Sequence, residues 1–205
     1  MARDLTPIVK RSRREKVALH PKAVKGMVRH PYGPGEHGQT GGRNKLSQYA
    51  VQLREKQKVK RMYGLLEKQF ARVVAQADRR SGVTGENMLQ ILELRLDNAI
   101  YRLGMATSRQ SARQLVTHGH LMLNGKRVDI PSIMLKPGDE ISVRPKSAKN
   151  SYFQNLAEIL KSNQSNIRWL SFNATKMTAK VTGLPAREDI DADIEEQLII
   201  EFYSR

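Results

Sequence analysis

Asn124-Gly125, set between Leu121-Met122-Leu123 and Lys126-Arg127-Val128, is the tightest local constraint in this chain. Both turn positions accept positive φ, as a two-residue hairpin requires, so the flanking triplets are expected to pair as antiparallel strands. Upstream, Ser108 stands where an N-cap is needed, Ala112, Leu115 and Val116 form the inner side of a short helix, and Gly119 closes it at C′. A second strand pair is expected at 133–135 and 141–143, with Pro-Gly-Asp at 137–139 turning between them. These signals predict a module of two short helices packed on a small antiparallel sheet, within limits of about 93–148.

The flanking sequence is read by period. Ser47 is a second N-cap, opening a helix that stops near Gly64; Leu66, Phe70, Val73, Val74 and Ala77 mark the inner side of the next. After a breaker at 81–85, apolar residues from Leu89 to Leu103 predict one long helix or two in succession. Residues 156–160 are expected to be helical and 168–172 a short strand. The apolar run near the end, QLIIEFY, is too short for its period to separate helix from strand. The organisation expected is a 1–45 arm, a helical domain opening at 46–92, the 93–148 module, and a 149–205 segment returning to the helical domain. The class is α+β. Residues 30–45 hold five glycines and two prolines, and 1–29 show basic clusters without an apolar stripe, so the arm is expected to order mainly on a partner.

Charge narrows the partners. The chain has 36 Lys and Arg against 20 Asp and Glu, a formal net charge of +16. Such a field attracts polyanions. No run approaches the roughly 18 apolar residues of a membrane helix, and the first residues lack the apolar core of a signal peptide, so no membrane partner is expected. Cysteine is absent, which excludes disulfides and thiolate metal sites. The charge is uneven: residues 1–61 carry 16 basic and 4 acidic side chains, while 187–205 carry 2 and 7. The two ends have different tasks.

Several chemistries are weakly supported. His118-Gly119-His120 supplies two possible ligands but no carboxylate pair or cysteine to complete a tetrahedral site, so no metal or other cofactor is expected. The acidic run at 189–196 alternates like a calcium loop but has Ile194 where that loop needs glycine. No phosphate loop is present, and nothing groups a nucleophile with a base. The remaining reading is RNA binding through phosphate contact. Its candidates are Arg3, Arg11, Arg13, Arg14 and Lys16 in the arm; Arg54, Lys56, Lys58, Lys60 and Arg61 on the first long helix; and Arg109, Arg113, Gln114, His118, His120, Lys126 and Arg127 in the module. Arg109 and Arg113 stand at i and i+4, on one helical face expected to be open to phosphate oxygens. Few aromatics point to folded RNA rather than a stacking platform for single strands. Asp189, Asp191, Asp193, Glu195 and Glu196 are expected to face away from RNA, toward a protein partner.

The stretch RLDNAIYRLGMATSRQSARQLVTHGHLMLNGKRVDIPS closely resembles the RNA-binding module named after ribosomal protein S-four. YAVQLREKQKVKRMYGLLEKQF, TGENMLQILELRLDN and EEQLIIEFYSR resemble the rest of the S-four family, in the same order. The module alone also occurs in pseudouridine synthases and a tyrosyl-tRNA synthetase, so an RNA-modifying enzyme or another translation factor using the same module is the alternative function. The resemblance implies no enzyme, but a structural protein of the small ribosomal subunit, in the cytoplasm or an organelle. It implies binding to small-subunit ribosomal RNA at a multi-helix junction in the 5′ region, early in assembly. It also implies that Arg43 and Lys45 lie along the path by which messenger RNA enters, that the acidic end borders protein S-five, that decoding accuracy is affected, and that the module is inserted in the helical domain.

Overall fold

The structure, a computed structural model, describes residues 4–39, 46–162, 167–173, 176–191 and 193–204. The chain divides into two compact units: Met1–Met88 with Asp193–Arg205, and Leu89–Ala192. Helices and one antiparallel five-stranded sheet make the α+β class plain.

In the first unit, α1 (Ile8–Glu15) and α2 (Pro21–Arg29) pack on each other, and α1 also meets α3 (Gln48–Met62). The arm expected to order mainly on a partner thus holds two packed helices among its described residues, 4–39. The reason is that α1 turns polar groups inward: Arg11, Ser12 and Glu15 are buried. The Ser12 hydroxyl donates to Ile8 O and accepts from Leu19 N, closing the turn toward α2. Pro21 opens α2 at a position where its missing N–H costs nothing, and the His20 ring accepts from Lys22 N. Ala23 then meets the core with no exposed area. Arg13 clasps the following loop, donating to Tyr32 O and Gly33 O while its guanidinium lies 4.9 Å from the Tyr32 ring centre.

Ser47 caps α3 through Ala50 N, as its position predicts. Next come α4 (Glu67–Asp78), whose Phe70, Val74 and Ala77 are buried, and α5 (Thr84–Glu93), which begins inside the expected breaker. The terminal apolar run is helical, α10 (Glu196–Tyr203), counting the intervening helices α6 (Leu96–Arg102), α7 (Arg109–Thr117), α8 (Pro145–Ala148) and α9 (Ser151–Ser162) of the second unit. It packs along α3, burying Ile199.

In the second unit the 89–103 pattern resolves into two helices, α5 ending at Glu93 and α6 beginning at Leu96. Ser108 caps α7 through Ser111 N, and Gly119 follows it with φ +67°. The hairpin forms as expected: β1 (Leu121–Leu123) pairs with β2 (Lys126–Val128) across Asn124 (φ +50°) and Gly125 (φ +77°). Asn124 also fixes the neighbouring turn, donating to Asp139 Oδ1 and accepting from Glu140 N.

The second strand pair differs from expectation. β3 (Glu140–Val143) pairs with β1, and on its other side with β5 (Thr178–Val181), which in turn pairs with β4 (Leu170–Asn173). Residues 133–135 instead bond to the link between α5 and α6, through Leu96 N to Ile133 O and Leu135 N to Leu94 O. The sheet order is β2-β1-β3-β5-β4. It therefore extends well past 148, and residues 149–191 contribute to this unit rather than to the helical one.

Alternation along the strands separates two faces. Leu121, Ile141, Val143, Ala179 and Val181 are buried in one core with Ala112, Val116 and Trp169. Met122, Arg127, Ser142, Thr178 and Lys180 occupy the opposite face by register. That face carries no aromatic residue among the strands, so it offers no base-stacking platform.

Candidate nucleic-acid interface

The cations of α3 are already spoken for inside their unit. Arg54 Nη1 donates to Glu15 Oε1 at 3.3 Å, and Arg61 Nη1 donates to the same oxygen. Lys56 and Lys60 hold the two oxygens of Glu67 at 2.7 and 2.8 Å, and the Tyr203 hydroxyl donates to that carboxylate at 2.9 Å. Lys58 meets Glu55 at 2.7 Å and donates to Asp193 O at 2.6 Å. These five RNA-binding candidates thus all close acidic contacts within their unit, and Lys56 is only 4% exposed.

The two acids respond differently. Burial pushes the Glu15 carboxyl above its ordinary value, and the arginines only partly oppose this. Burial also acts to raise Glu67, but hydrogen bonds from Lys56, Lys60 and Tyr203 outweigh it and hold the carboxyl at about 2. A half-exposed carboxylate with three donors stays charged through most of the acid range.

In the second unit, Arg109 and Arg113 share the α7 face as expected, but that face is braced rather than open. Arg109 Nε donates to Asn98 Oδ1 at 2.8 Å, its guanidinium lies 4.6 Å from the Tyr101 ring centre, and Nη2 is 3.8 Å from Asp191. Arg113 Nη1 donates to Asp97 Oδ2 at 3.1 Å, and Arg95 grips the same carboxylate with two bonds. Arg102 makes a two-bond fork to Glu93, which also accepts from Asn98 and has no exposed area. The Arg113–Asp97 pair and the Arg109–Asn98 bond tie α7 to α6, and the Arg102–Glu93 fork ties α6 to the end of α5.

Open charge lies at the other end of α7. Gln114 and His118 are exposed, as are Lys126 and Arg127 on the hairpin. The His118 and His120 ring centres are 5.9 Å apart. His120 is half-buried, with Nδ1 3.0 Å from Ser147 Oγ, and burial, His118 and Arg144 all lower its pKa. Among the described residues no group of three or more possible metal ligands comes together. Lys146 and Lys149 at the ends of α8 are exposed and were missed, because their stretch shows no period.

In the first unit, Arg11 is buried and paired with Asp4 at 3.1 Å, while Arg13 closes the clasp described above. Arg14 and Lys16 are exposed, as are Lys22, Lys25 and Arg29 on α2, three cations the arm reading overlooked. The Pro21 start of that helix was the signal available. Arg3, Arg43 and Lys45 lie outside the described residues.

The acidic set is divided. Asp193 and Glu195 are exposed; Asp189 and Glu196 are half-buried, and Asp189 Oδ2 accepts from Ala186 N at 2.9 Å. Asp191 is turned toward its own unit, 3.5 Å from Arg102 and 3.8 Å from Arg109. This corrects its placement on an outward acidic face. No helix among the described residues is long and apolar enough to cross a membrane.

Comparison with known proteins covers both units. Residues 3–93 match the family described as ribosomal protein S4/S9 N-terminal domain, and residues 94–141 match the S4 domain. The small ribosomal subunit protein uS4 of Chloroflexus aurantiacus is 49% identical over 207 residues, spanning all of both chains. The proteins of the same name from Clostridioides difficile and Halothermothrix orenii are each 50% identical over 211 residues, again end to end. Two successive family matches and end-to-end identity at this level leave one assignment: the chain belongs to the ribosomal protein S4 family.

Proposed function

We propose that this chain is a structural, RNA-binding constituent of the small ribosomal subunit, acting on the ribosome in the cytoplasm. The observation that carries this is end-to-end similarity, near 50% identity, to proteins named for that subunit. That similarity covers the first helical unit as well as the module, which an RNA-modifying enzyme sharing only the module would not require.

The RNA-facing edge of the module is formed by α7 and the hairpin. Arg109 and Arg113 are stiffened by their internal contacts, and Gln114, His118, Lys126 and Arg127 are exposed beside them. A braced guanidinium loses less side-chain entropy on meeting a phosphate than a free one. The target is a multi-helix junction in the 5′ region of the small-subunit RNA, occupied early in assembly. Exposed Asp193 and Glu195 face a basic neighbour, protein S-five, and this contact influences decoding accuracy. Arg43 and Lys45 line the messenger-RNA path.

Nuclease footprinting on protein-free small-subunit RNA tests the reading. Protection concentrated at one 5′ junction is expected. Protection scattered along the RNA and abolished at moderate salt would reduce the chain to a non-specific polycation.

A further inference from the structure

Gly119 is buried at the turn between α7 and β1, although Arg127, which covers it, is exposed. A Cβ built on Gly119 would stand 2.4 Å from Arg127 Nε, 2.6 Å from Nη2 and 2.9 Å from Cζ. The guanidinium therefore lies across the glycine backbone, in the space any side chain would take. Among the described residues the Arg127 guanidinium makes no ion pair or hydrogen bond, so its place across the glycine, not an acid, sets its direction.

The left-handed backbone at Gly119 does not by itself explain the glycine. Asn124 holds φ +50°, Lys16 φ +58° and Met177 φ +50° in the same chain, close to the +67° of Gly119. A non-glycine residue in that region is strained but not excluded. What a side chain at 119 would add is displacement of the guanidinium, 2.4 Å from the new Cβ; the flexible arginine swings away, so its orientation is lost rather than the fold. The position also favours a cation, because it lies just beyond the C-terminus of α7, the negative end of the helix.

We propose that Gly119 is a positioning residue for RNA binding: lacking a side chain, it seats the Arg127 guanidinium on the turn after α7 and presents it in one orientation at the hairpin edge. The inference rests on the RNA-binding reading of that edge. It differs from the bracing of Arg109 and Arg113, which carboxylates and an amide perform. Among the described residues no carboxylate pairs with the Arg127 guanidinium, so its charge remains available to a phosphate while its motion is restricted. The rest of the hairpin supports the seat: Arg127 pairs in register with Met122, and Met122 with Ser142, so the strand beneath is held on both sides.

The test is a double-mutant cycle in the full-length chain with Gly119→Asn, Arg127→Gln and the pair, titrated against protein-free small-subunit RNA. Asn accepts left-handed backbone, so folding should survive; Gly119→Ala, with the smallest Cβ, is the second variant. Each single change is expected to weaken binding about threefold to tenfold, and the double variant should lose no more than Arg127→Gln alone. Losses that multiply, or wild-type affinity in both folded Gly119 variants, would overturn the proposal. Proton exchange at Arg127 Nε in the free, unsubstituted chain reads the seat without RNA. Exchange slower than at exposed Arg29 is expected, and equal rates would overturn the seat. If Arg127→Gln binds RNA normally while that exchange is slow, the seat exists but the RNA-facing reading of the hairpin fails.

Discussion

The helix α3 and the β1–β2 hairpin are both rich in positive charge, yet they use it in opposite ways. On α3, Arg54 and Arg61 converge on Glu15, and Lys56 and Lys60 on Glu67, so the charge is consumed in holding helices together. On the hairpin, Lys126 and Arg127 are exposed and have no acidic partner among the described residues. A count of basic residues therefore overstates the polyanion-binding surface. What matters is whether a carboxylate has already been folded against the cation. A paired arginine contributes chiefly to stability, an unpaired one to the long-range field and to counterion release.

The largest effect is expected where pairing is most buried. Glu93→Ala removes the acceptor of the Arg102 fork and of Asn98 Nδ2, leaving a mostly buried guanidinium short of its acid. A loss of about 3–5 kcal/mol in unfolding free energy is expected. Urea titration followed by fluorescence of Trp169, the only tryptophan and 2% exposed, reports on this unit. A loss below about 1 kcal/mol would show that the network is not what fixes α6 to the end of α5.

A second comparison sets the hairpin directly against α3. Changing Lys126 and Arg127 together to Gln should weaken RNA binding by about tenfold or more and reduce the salt slope by about two. Changing Lys56 and Lys60 together to Gln should lower stability but leave the salt slope almost unchanged. Equal slopes lost in the two variants would erase the distinction between consumed and available charge.

The smallest effect concerns Glu67, which is about half exposed. Its carboxyl is held at about 2, below the ordinary 4.5, so its contribution to stability is full above pH 4.5 and is lost as pH falls toward 2. Solvent screening limits the gain, and Glu67→Gln is expected to cost roughly 1 kcal/mol at neutral pH. The difference between wild type and variant should shrink as the pH is lowered through that window. A difference that held constant down to pH 3 would mean that shape, not charge, makes the contact.

How much of this was legible in the sequence depends on how far apart the partners lie. Ser47, Ser108, Asn124-Gly125 and the stops at Gly64 and Gly119 act within a turn or two, and the helices and hairpin they announce are present. The pairing of β3 with β5 joins residues near 141 to residues near 179, and no local pattern encodes it. The fate of the α3 cations was hidden for the same reason, since Glu15 is 39 residues from Arg54 and 46 from Arg61. The α1–α2 pair was missed because its buried positions include Arg11, Ser12 and Glu15, which a search for apolar period discards. At the candidate interface, exposure of Lys126, Arg127 and Gln114 agrees with the reading of their residue types. The dependence of Arg127 on Gly119 needed coordinates, because eight positions and a strand turn separate them.

The partnership of α3 with α10 sets an order on how the chain can fold as it is made. Gln52 donates to Glu201 across 149 positions, so the first unit cannot close until α10 has left the synthesising ribosome. The second unit, bounded by Leu89 and Ala192, is complete in sequence before then. Synthesis from the N-terminus thus finishes the later-encoded unit first, and α3, with its dense positive charge, waits for its C-terminal cover.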